Sequence, residues 1–284
     1  MAPKDRKILA PLTLAVVGAL VLLGYASQAE TSSAQRHVGD STGMPGAEVT
    51  DQDQSPSAPV GDGTAYTPLR TQQNARVGAL FQKDDTGDHF CTASVVASPG
   101  RNMLITAAHC AFGGDGTPKD DLVFAPAYRA GEKPAGLWKV RRAVADDRWA
   151  RNANQDLDVA FLLLDSNDGK QIQDVLGGNT LGISQGFHNR VKVTGYPNNR
   201  DTPISCRNRT TRLSATQMRI HCTNFAGGTS GSPWVTDGTS NTPAGTVIGV
   251  LGGYERGGDE DDVSYASYFS NDIAELYQQA KSED

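Results

Sequence analysis

Apolar residues along this chain fall in short clusters, each bounded by Gly, Pro, Asn, Asp or Ser, and almost nowhere at helical spacing. Val77-Gly78-Ala79-Leu80-Phe81 and Cys91-Thr92-Ala93-Ser94-Val95-Val96 read as strands separated by the polar turn 83–88. A third strand, 102–106, comes next, and 122–124, 137–144 and 159–164 fit three more. The polar stretch 165–178 then separates two halves, about 76–170 and about 171–268. The second half offers strands at 190–195, 203–206, 209–213, 218–222, 232–236, 246–252 and 264–269. So many short, closely spaced strands predict an all-β domain over 76–284, with its sheets closed into sandwiches or barrels. The exception is the tail: Ile273, Leu276, Tyr277 and Ala280 stand at i, i+3, i+4 and i+7, which predicts one apolar face of a helix over 271–281.

The N-terminal region has a different texture. Lys4, Arg6 and Lys7 precede an uncharged run from 8 to 29 that ends in Ser27-Gln28-Ala29, the pattern of a cleavable export signal over 1–29. The same run is long enough to stay behind as a membrane anchor, and either outcome places the rest of the chain outside the cytoplasm. Residues 30–75 are rich in Ser, Thr, Gly, Pro, Gln and Asp and poor in aliphatic side chains. Such a stretch buries too little apolar surface to offset chain entropy, and a disordered spacer or propeptide is expected there.

Charge narrows the functional classes. The formal net charge is −6, and loss of residues 1–29 would remove three cations and one anion, leaving the remainder more acidic. A chain with no basic stripe is a poor match for a phosphate backbone, so nucleic acid is excluded as a partner. Four cysteines allow three pairings. Cys91 with Cys110 would bring the start of one strand beside His109, and Cys206 with Cys222 would bracket a hairpin. Disulfides persist in oxidising compartments, in keeping with export. A metal site is the competing use of cysteine, but no C-x-x-C or H-x-x-x-H spacing occurs, so no metal is expected.

Three segments carry chemistry: Thr106-Ala107-Ala108-His109-Cys110, Asp158-Val159-Ala160-Phe161-Leu162-Leu163 and Gly228-Thr229-Ser230-Gly231-Ser232-Pro233. A serine hydroxyl is a weak nucleophile until an imidazole takes its proton, and a buried carboxylate fixes the tautomer of that imidazole and stabilises its cation. Gly228 and Gly231 let the backbone turn sharply around Ser230. Asp156 rivals Asp158, being two residues earlier and on the same strand face, but it lies further into the polar loop 151–155. His37, His89, His188 and His221 lack the approach sequence of His109 and read as core or surface histidines. The α/β-hydrolase arrangement is excluded because Ser232 breaks G-x-S-x-G and no histidine comes after His221.

With those motifs in place, residues from about 76 to 284 resemble trypsin-like serine peptidases of the chymotrypsin superfamily, nearest the bacterial secreted branch that includes the glutamyl endopeptidases. The resemblance rests on Thr106–Cys110 with Cys91, on Asp158-Val159-Ala160, on the less specific Gly195-Tyr196-Pro197, and on Gly228–Pro233 in the order His, Asp, Ser. It implies two six-stranded antiparallel β-barrels, a triad of His109, Asp158 and Ser230, and an oxyanion hole from the amides of Gly228 and Ser230. It further implies a Cys91–Cys110 disulfide, a substrate-binding strand at Gly252, Gly253 and Tyr254, and a pocket base at Asn224. A secreted monomeric endopeptidase acting on proteins or peptides, without cofactor, is the function it predicts. The alternatives are a non-catalytic binding module on the same fold and a membrane-tethered sensor peptidase.

Two departures from that family stand out. Thr229 occupies the place of an aspartate that, in animal digestive relatives, pairs with a freshly cut N-terminus, so Arg76-Val77 is not expected to act as an activation bond. The segment Gly252-Gly253-Tyr254 offers glycine where many relatives carry a serine near the aspartate, which would leave Asp158 one supporting hydrogen bond short. Asn224 and Leu251 support neither Arg/Lys nor Glu preference, and the acidic run 255–262 reads as a solvated loop.

Overall fold

In the computed structural model, which describes residues 61–83, 88–238 and 244–284, the apolar clusters become strands. The expected export signal and residues 30–60 of the expected spacer lie outside the described residues, as does most of the turn 83–88. β1 (Val77–Gln82) is buried at every position but its last, because its two faces meet two different cores. Leu80 points into the first core, while Val77, Ala79 and Phe81 pack with Ala125, Tyr128 and Tyr196. Alternation of side chains along a strand thus joins the first half to Tyr196 of the second.

β1, β2 (Cys91–Val96), β3 (Met103–Thr106), β4 (Leu122–Pro126), β5 (Trp138–Ala145) and β6 (Ala160–Leu164) close a barrel in the order β1-β2-β3-β6-β5-β4. Every pairing in it is antiparallel. Closure leaves no free edge, and Leu104, Ile105, Phe161, Leu162 and Leu163 belong to its core. The short helix Ile172–Leu176 buries Ile172 and Leu176 in that same core, so the first half extends packing contacts past residue 171.

The second half contains β7 (Thr180–Leu181), β8 (Arg190–Gly195), β9 (Ile204–Arg209), β10 (Thr211–Arg212), β11 (Gln217–His221), β12 (Pro233–Thr236), β13 (Thr246–Val250) and β14 (Val263–Ser267). Hydrogen bonding divides them into a five-stranded sheet, β7-β13-β12-β8-β9, and a three-stranded sheet, β10-β11-β14. β7 runs parallel to β13; the other pairings are antiparallel. One core closes both sheets: Val191, Val193, Ile204, Trp234 and Ile248 from the first meet Met218, Ile220 and Ala266 from the second. The Cys206–Cys222 disulfide ties edge strand β9 to the end of β11, crossing where the ladders do not.

Residues 61–75 differ from the spacer expectation. Tyr66 exchanges two backbone hydrogen bonds with Ser205, Gly63 N–H donates to Arg207 O, and Thr223 N–H donates to Gly63 O. The segment therefore covers the outer edge of β9, and Arg190 grips Asp62 through two hydrogen bonds. Main-chain pairing orders it, with little apolar burial, so its polar composition gave no sign of order. At the other end the C-terminal helix Asn271–Ser282 buries Ile273, Leu276 and Ala280 in the core of the first barrel, and Tyr277 Oη donates to Ala97 O at 2.7 Å.

Because the Cys206–Cys222 bridge joins two sheets across an open seam, its removal loosens the second half. Replacing both cysteines by alanine is expected to cost about 3 kcal/mol, the value for a loop of this order, read as a lower urea midpoint at unchanged secondary structure.

Candidate active site

His109 lies in a single helical turn, Ala108–Ala111, directly after β3, where the disulfide from Cys110 to Cys91 pins the turn to the start of β2. Asp158 comes after the short turn Gln155–Leu157 and precedes β6. β3 and β6 are paired with Thr106 opposite Ala160, so the residues just beyond the ladder, His109 and Asp158, emerge together. His109 Nδ1–H donates to Asp158 Oδ2 at 2.7 Å, and His109 N–H donates to Oδ1 at 2.9 Å. Asp156 takes a different role: its Oδ1 accepts from the Gln217 side chain at 2.9 Å.

A third donor to Asp158 comes from the second half. Gly253 N–H reaches Oδ2 at 2.9 Å, so the hydrogen bond expected to be missing beside Gly252 is supplied by the next backbone amide. Asp158 is 2% exposed. Burial alone would push its carboxyl up; the His109 ring and the Gly253 and His109 amides outweigh that and hold it below the usual carboxylate value.

The backbone holds the loop of Ser230 against β2 and the segment leading into His109, and among the described residues no hydrogen bond joins Ser230 Oγ to the His109 ring. Thr92 N–H donates to Ser230 O at 2.8 Å, and Gly231 N–H donates to Leu251 O at 2.7 Å. At Gly231, with φ +83°, a Cβ would stand 2.1 Å from Thr92 O and 2.2 Å from Thr106 Oγ1. Only glycine lets the loop lie this close to the strand leading into His109. Gly228 has the same constraint: φ is +93°, and a Cβ would meet Asn198 N at 2.5 Å.

The peptide planes that carry the Gly228 and Ser230 amides are held from behind. Asn198 N–H donates to Gly227 O at 2.8 Å. Ser232 Oγ donates to Thr229 O at 2.6 Å, and Ser232 N–H donates to the same oxygen at 3.0 Å. In a trans peptide the N–H points opposite to the carbonyl, so the amides of Gly228 and Ser230 face away from these anchors. Among the described residues neither amide meets a protein acceptor. Thr229 is buried, and its hydroxyl donates to Ala226 O at 2.7 Å, so no charge sits where digestive relatives place an aspartate.

The residues expected to bind substrate divide. Gly252 N–H donates to Tyr265 O at 3.0 Å, which holds the Gly252–Gly253 segment beside β14. Tyr254 is 41% exposed, its ring edge-on to Tyr265 with centroids 5.1 Å apart. Asn224 is exposed on a turn with φ +64°, its amide side chain toward Thr223 Oγ1, so it forms no buried pocket floor. The acidic run does more than meet solvent: Asp262 Oδ1 accepts from Asn224 N–H, and the carbonyls of Asp261 and Asp262 accept from Phe225 and Cys222.

Several contributors were invisible in the sequence. Lys119 Nζ donates to His109 O at 3.2 Å and lies 4.7 Å from the Phe90 ring centroid; burial, then the Arg256 charge, lowers its pKa. His89 is buried, its Nε2–H donating to Pro197 O at 3.0 Å. Cys91, His109 and Cys110 cluster as metal ligands would, but both sulfurs are spent on the disulfide and supply no thiolate.

The sequence matches the family described as Trypsin over residues 69–271. Among solved structures, the protease Anisep from Arthrobacter nicotinovorans is similar at 26% identity and TM-score 0.65, covering 77% of this chain and 99% of its own. The thermostable serine protease AL20 from an extremophilic microorganism is 27% identical with TM-score 0.65, covering 75% of this chain and 100% of its own. A Glu endopeptidase, 15% identical with TM-score 0.63 over 78% of this chain and 98% of its own, shares the fold. No curated protein matches the chain.

The lowered pKa of Asp158 fixes the sign of a pH effect. The ionised carboxylate contributes stability in full above its unfolded value of about 3.9, and that contribution is lost as pH falls through the lower folded value. The difference in unfolding free energy between wild type and Asp158→Asn should therefore narrow on acidification below about pH 4. Urea titrations from neutral to acid pH check this; a gap independent of pH contradicts it.

Proposed function

The chain belongs to the trypsin family and is a serine-type endopeptidase, and from that premise we propose that Ser230, His109 and Asp158 perform the hydrolysis in an exported protein. The observation that carries this reading is a buried carboxylate on His109 Nδ1, together with a loop on which the amides of Gly228 and Ser230 meet no protein acceptor among the described residues. Ser230 Oγ attacks the peptide carbonyl carbon while His109 Nε2 takes its proton. The negative charge forming on the carbonyl oxygen is met by the N–H groups of Gly228 and Ser230. The C–N bond then breaks as His109 returns the proton to the leaving amine, giving an acyl-enzyme. Water enters, loses a proton to His109, and releases the acid and Ser230.

Asp158 stays ionised throughout and holds the imidazole by Nδ1–H. The substrate backbone lies beside Gly252–Gly253 and meets the Gly252 carbonyl, since Gly252 N–H is given to Tyr265 O and Gly253 N–H to Asp158 Oδ2. Two disulfides fit an oxidising compartment, which supports export. No helix among the described residues is long and apolar enough to cross a membrane.

Activation by cleavage after Arg76 has no support in the local geometry. Arg76 is buried, its guanidinium donating to Leu176 O, Gln73 Oε1 and Asn179 Oδ1, and its carbonyl accepting from Val95 N–H. A bond so enclosed is not presented to another peptidase, and uncharged Thr229 offers no partner for a new amine.

A fluorophosphonate probe should label folded wild type and leave Ser230→Ala unlabelled, with peptide hydrolysis falling on the order of 10⁶-fold; an unlabelled, folded wild type would favour a binding role. Arg76→Gln should lower the unfolding midpoint but leave the activity per folded molecule within a few-fold, and total loss in a folded variant would restore cleavage at that bond as the activating step.

A further inference from the structure

We propose that Thr92 is a positioning residue for the reaction: from the first barrel, its buried hydroxyl holds the nucleophile loop of the second so that the amides of Gly228 and Ser230 face the substrate carbonyl. This rests on the roles given above to those two amides.

Thr92 is the second residue of β2, directly after Cys91, and has no solvent exposure. Its Oγ1 accepts from Tyr196 N–H at 2.9 Å and donates to Gly228 O at 3.1 Å. Its own N–H donates to Ser230 O at 2.8 Å, and its carbonyl accepts from Thr106 Oγ1 at 2.7 Å. One side chain on the first barrel thus satisfies backbone groups of two separate segments of the second half. The contact recurs on both sides of Thr229, through the carbonyls of Gly228 and Ser230. A hydroxyl can donate once and accept twice, so both demands are met by a single rotamer, and the branched Cβ of threonine restricts that rotamer in a strand.

Peptide geometry turns these contacts into orientation. Gly228 has no side chain and a positive φ, so its flanking planes are kept in place by hydrogen bonds alone. Upstream, Asn198 N–H fixes Gly227 O and with it the direction of Gly228 N–H. Downstream, the Gly228–Thr229 plane is held at both ends, by Thr92 Oγ1 on Gly228 O and by Thr229 N–H donating to Ala226 O at 3.2 Å, and Ser232 fixes Thr229 O. Removing the hydroxyl leaves a buried carbonyl and a buried N–H unpaired. With only the 3.2 Å bond from Thr229 N–H to Ala226 O left to hold it, the Gly228–Thr229 plane would tilt to find a partner for Gly228 O, displacing both amides from the developing oxyanion while the rest of the barrel stays packed.

The test compares wild type, Thr92→Val and Thr92→Ser by the rate of fluorophosphonate labelling and by kcat and KM on a peptide selected from a cleavage library. Labelling places negative charge on a phosphonyl oxygen where the oxyanion forms. Loss of one such donor costs ~10²–10³ in rate, and misorientation should give part of that, so Thr92→Val should label about 10–100-fold more slowly, with kcat falling to match and KM within about threefold. Thr92→Ser should recover to within about threefold of wild type. Labelling of Thr92→Val within about threefold of wild type overturns the proposal, as does a loss confined to KM or one that serine does not recover. Should Thr92→Val fail to fold, Thr92→Ala, which sets no methyl against the two unpaired groups, carries the same expectation. Unfolding of both would assign Thr92 to the fold alone and also overturn the proposal. Wild type that is folded yet unlabelled would instead defeat the roles given to Ser230 and its amides.

Discussion

A carboxylate with 2% exposure has to be solvated by protein dipoles, and the donors that do this for Asp158 come from both halves of the molecule. His109 offers its ring and its backbone amide from the first half, and Gly253 offers an amide from the second. Losing one of these donors while the carboxylate stays buried would leave its charge under-compensated, which is strongly destabilising. The seam that holds the cleft together is therefore the seam that sets the histidine's orientation. The pairing of β3 with β6, and the disulfide behind His109, put the acid and the base within reach before the second half contributes anything.

The loop that carries Ser230 is organised on a different principle. Thr92, Asn198, Thr229 and Ser232 hold it through neutral hydrogen bonds to backbone groups. Each such bond contributes about 0.5–1.5 kcal/mol, but leaving any one of the buried partners unmade costs more than the bond gains, so the set acts as a unit. None of these groups titrates near neutrality, and none depends on a newly cut terminus. Glycine at 228 and 231 allows the close approach, and hydrogen bonds fix the direction.

Polar contacts also explain where order begins. Residues 61–75 attach along β9 by main-chain pairing and by the Asp62–Arg190 pair, and Arg76 closes the segment against neutral acceptors. The edge of β9 is thereby covered, which removes an exposed row of backbone donors and acceptors. Apolar patterning carries no trace of such an arrangement, because backbone groups are the same in every residue.

Strand positions and the terminal helix were legible because burial writes itself into the spacing of apolar residues: 77–81 and 159–164 are near-continuous apolar runs because both faces of those strands are covered, and in 91–96 only the small polar Thr92 and Ser94 interrupt the run. His109, Asp158 and Ser230 could be singled out as candidates because the proposed chemistry requires particular residue types in particular local settings, as at His109 beside Cys110 and Ser230 in a glycine-rich turn. What needed the folded chain was every contact made through the main chain across long sequence separation: the Gly253 amide on Asp158, the Thr92 hydroxyl on Gly228, the paired edge at Tyr66, and the exposed turn at Asn224. Side-chain identity announces a group's chemistry, but only the path of the backbone decides which peptide dipoles it meets.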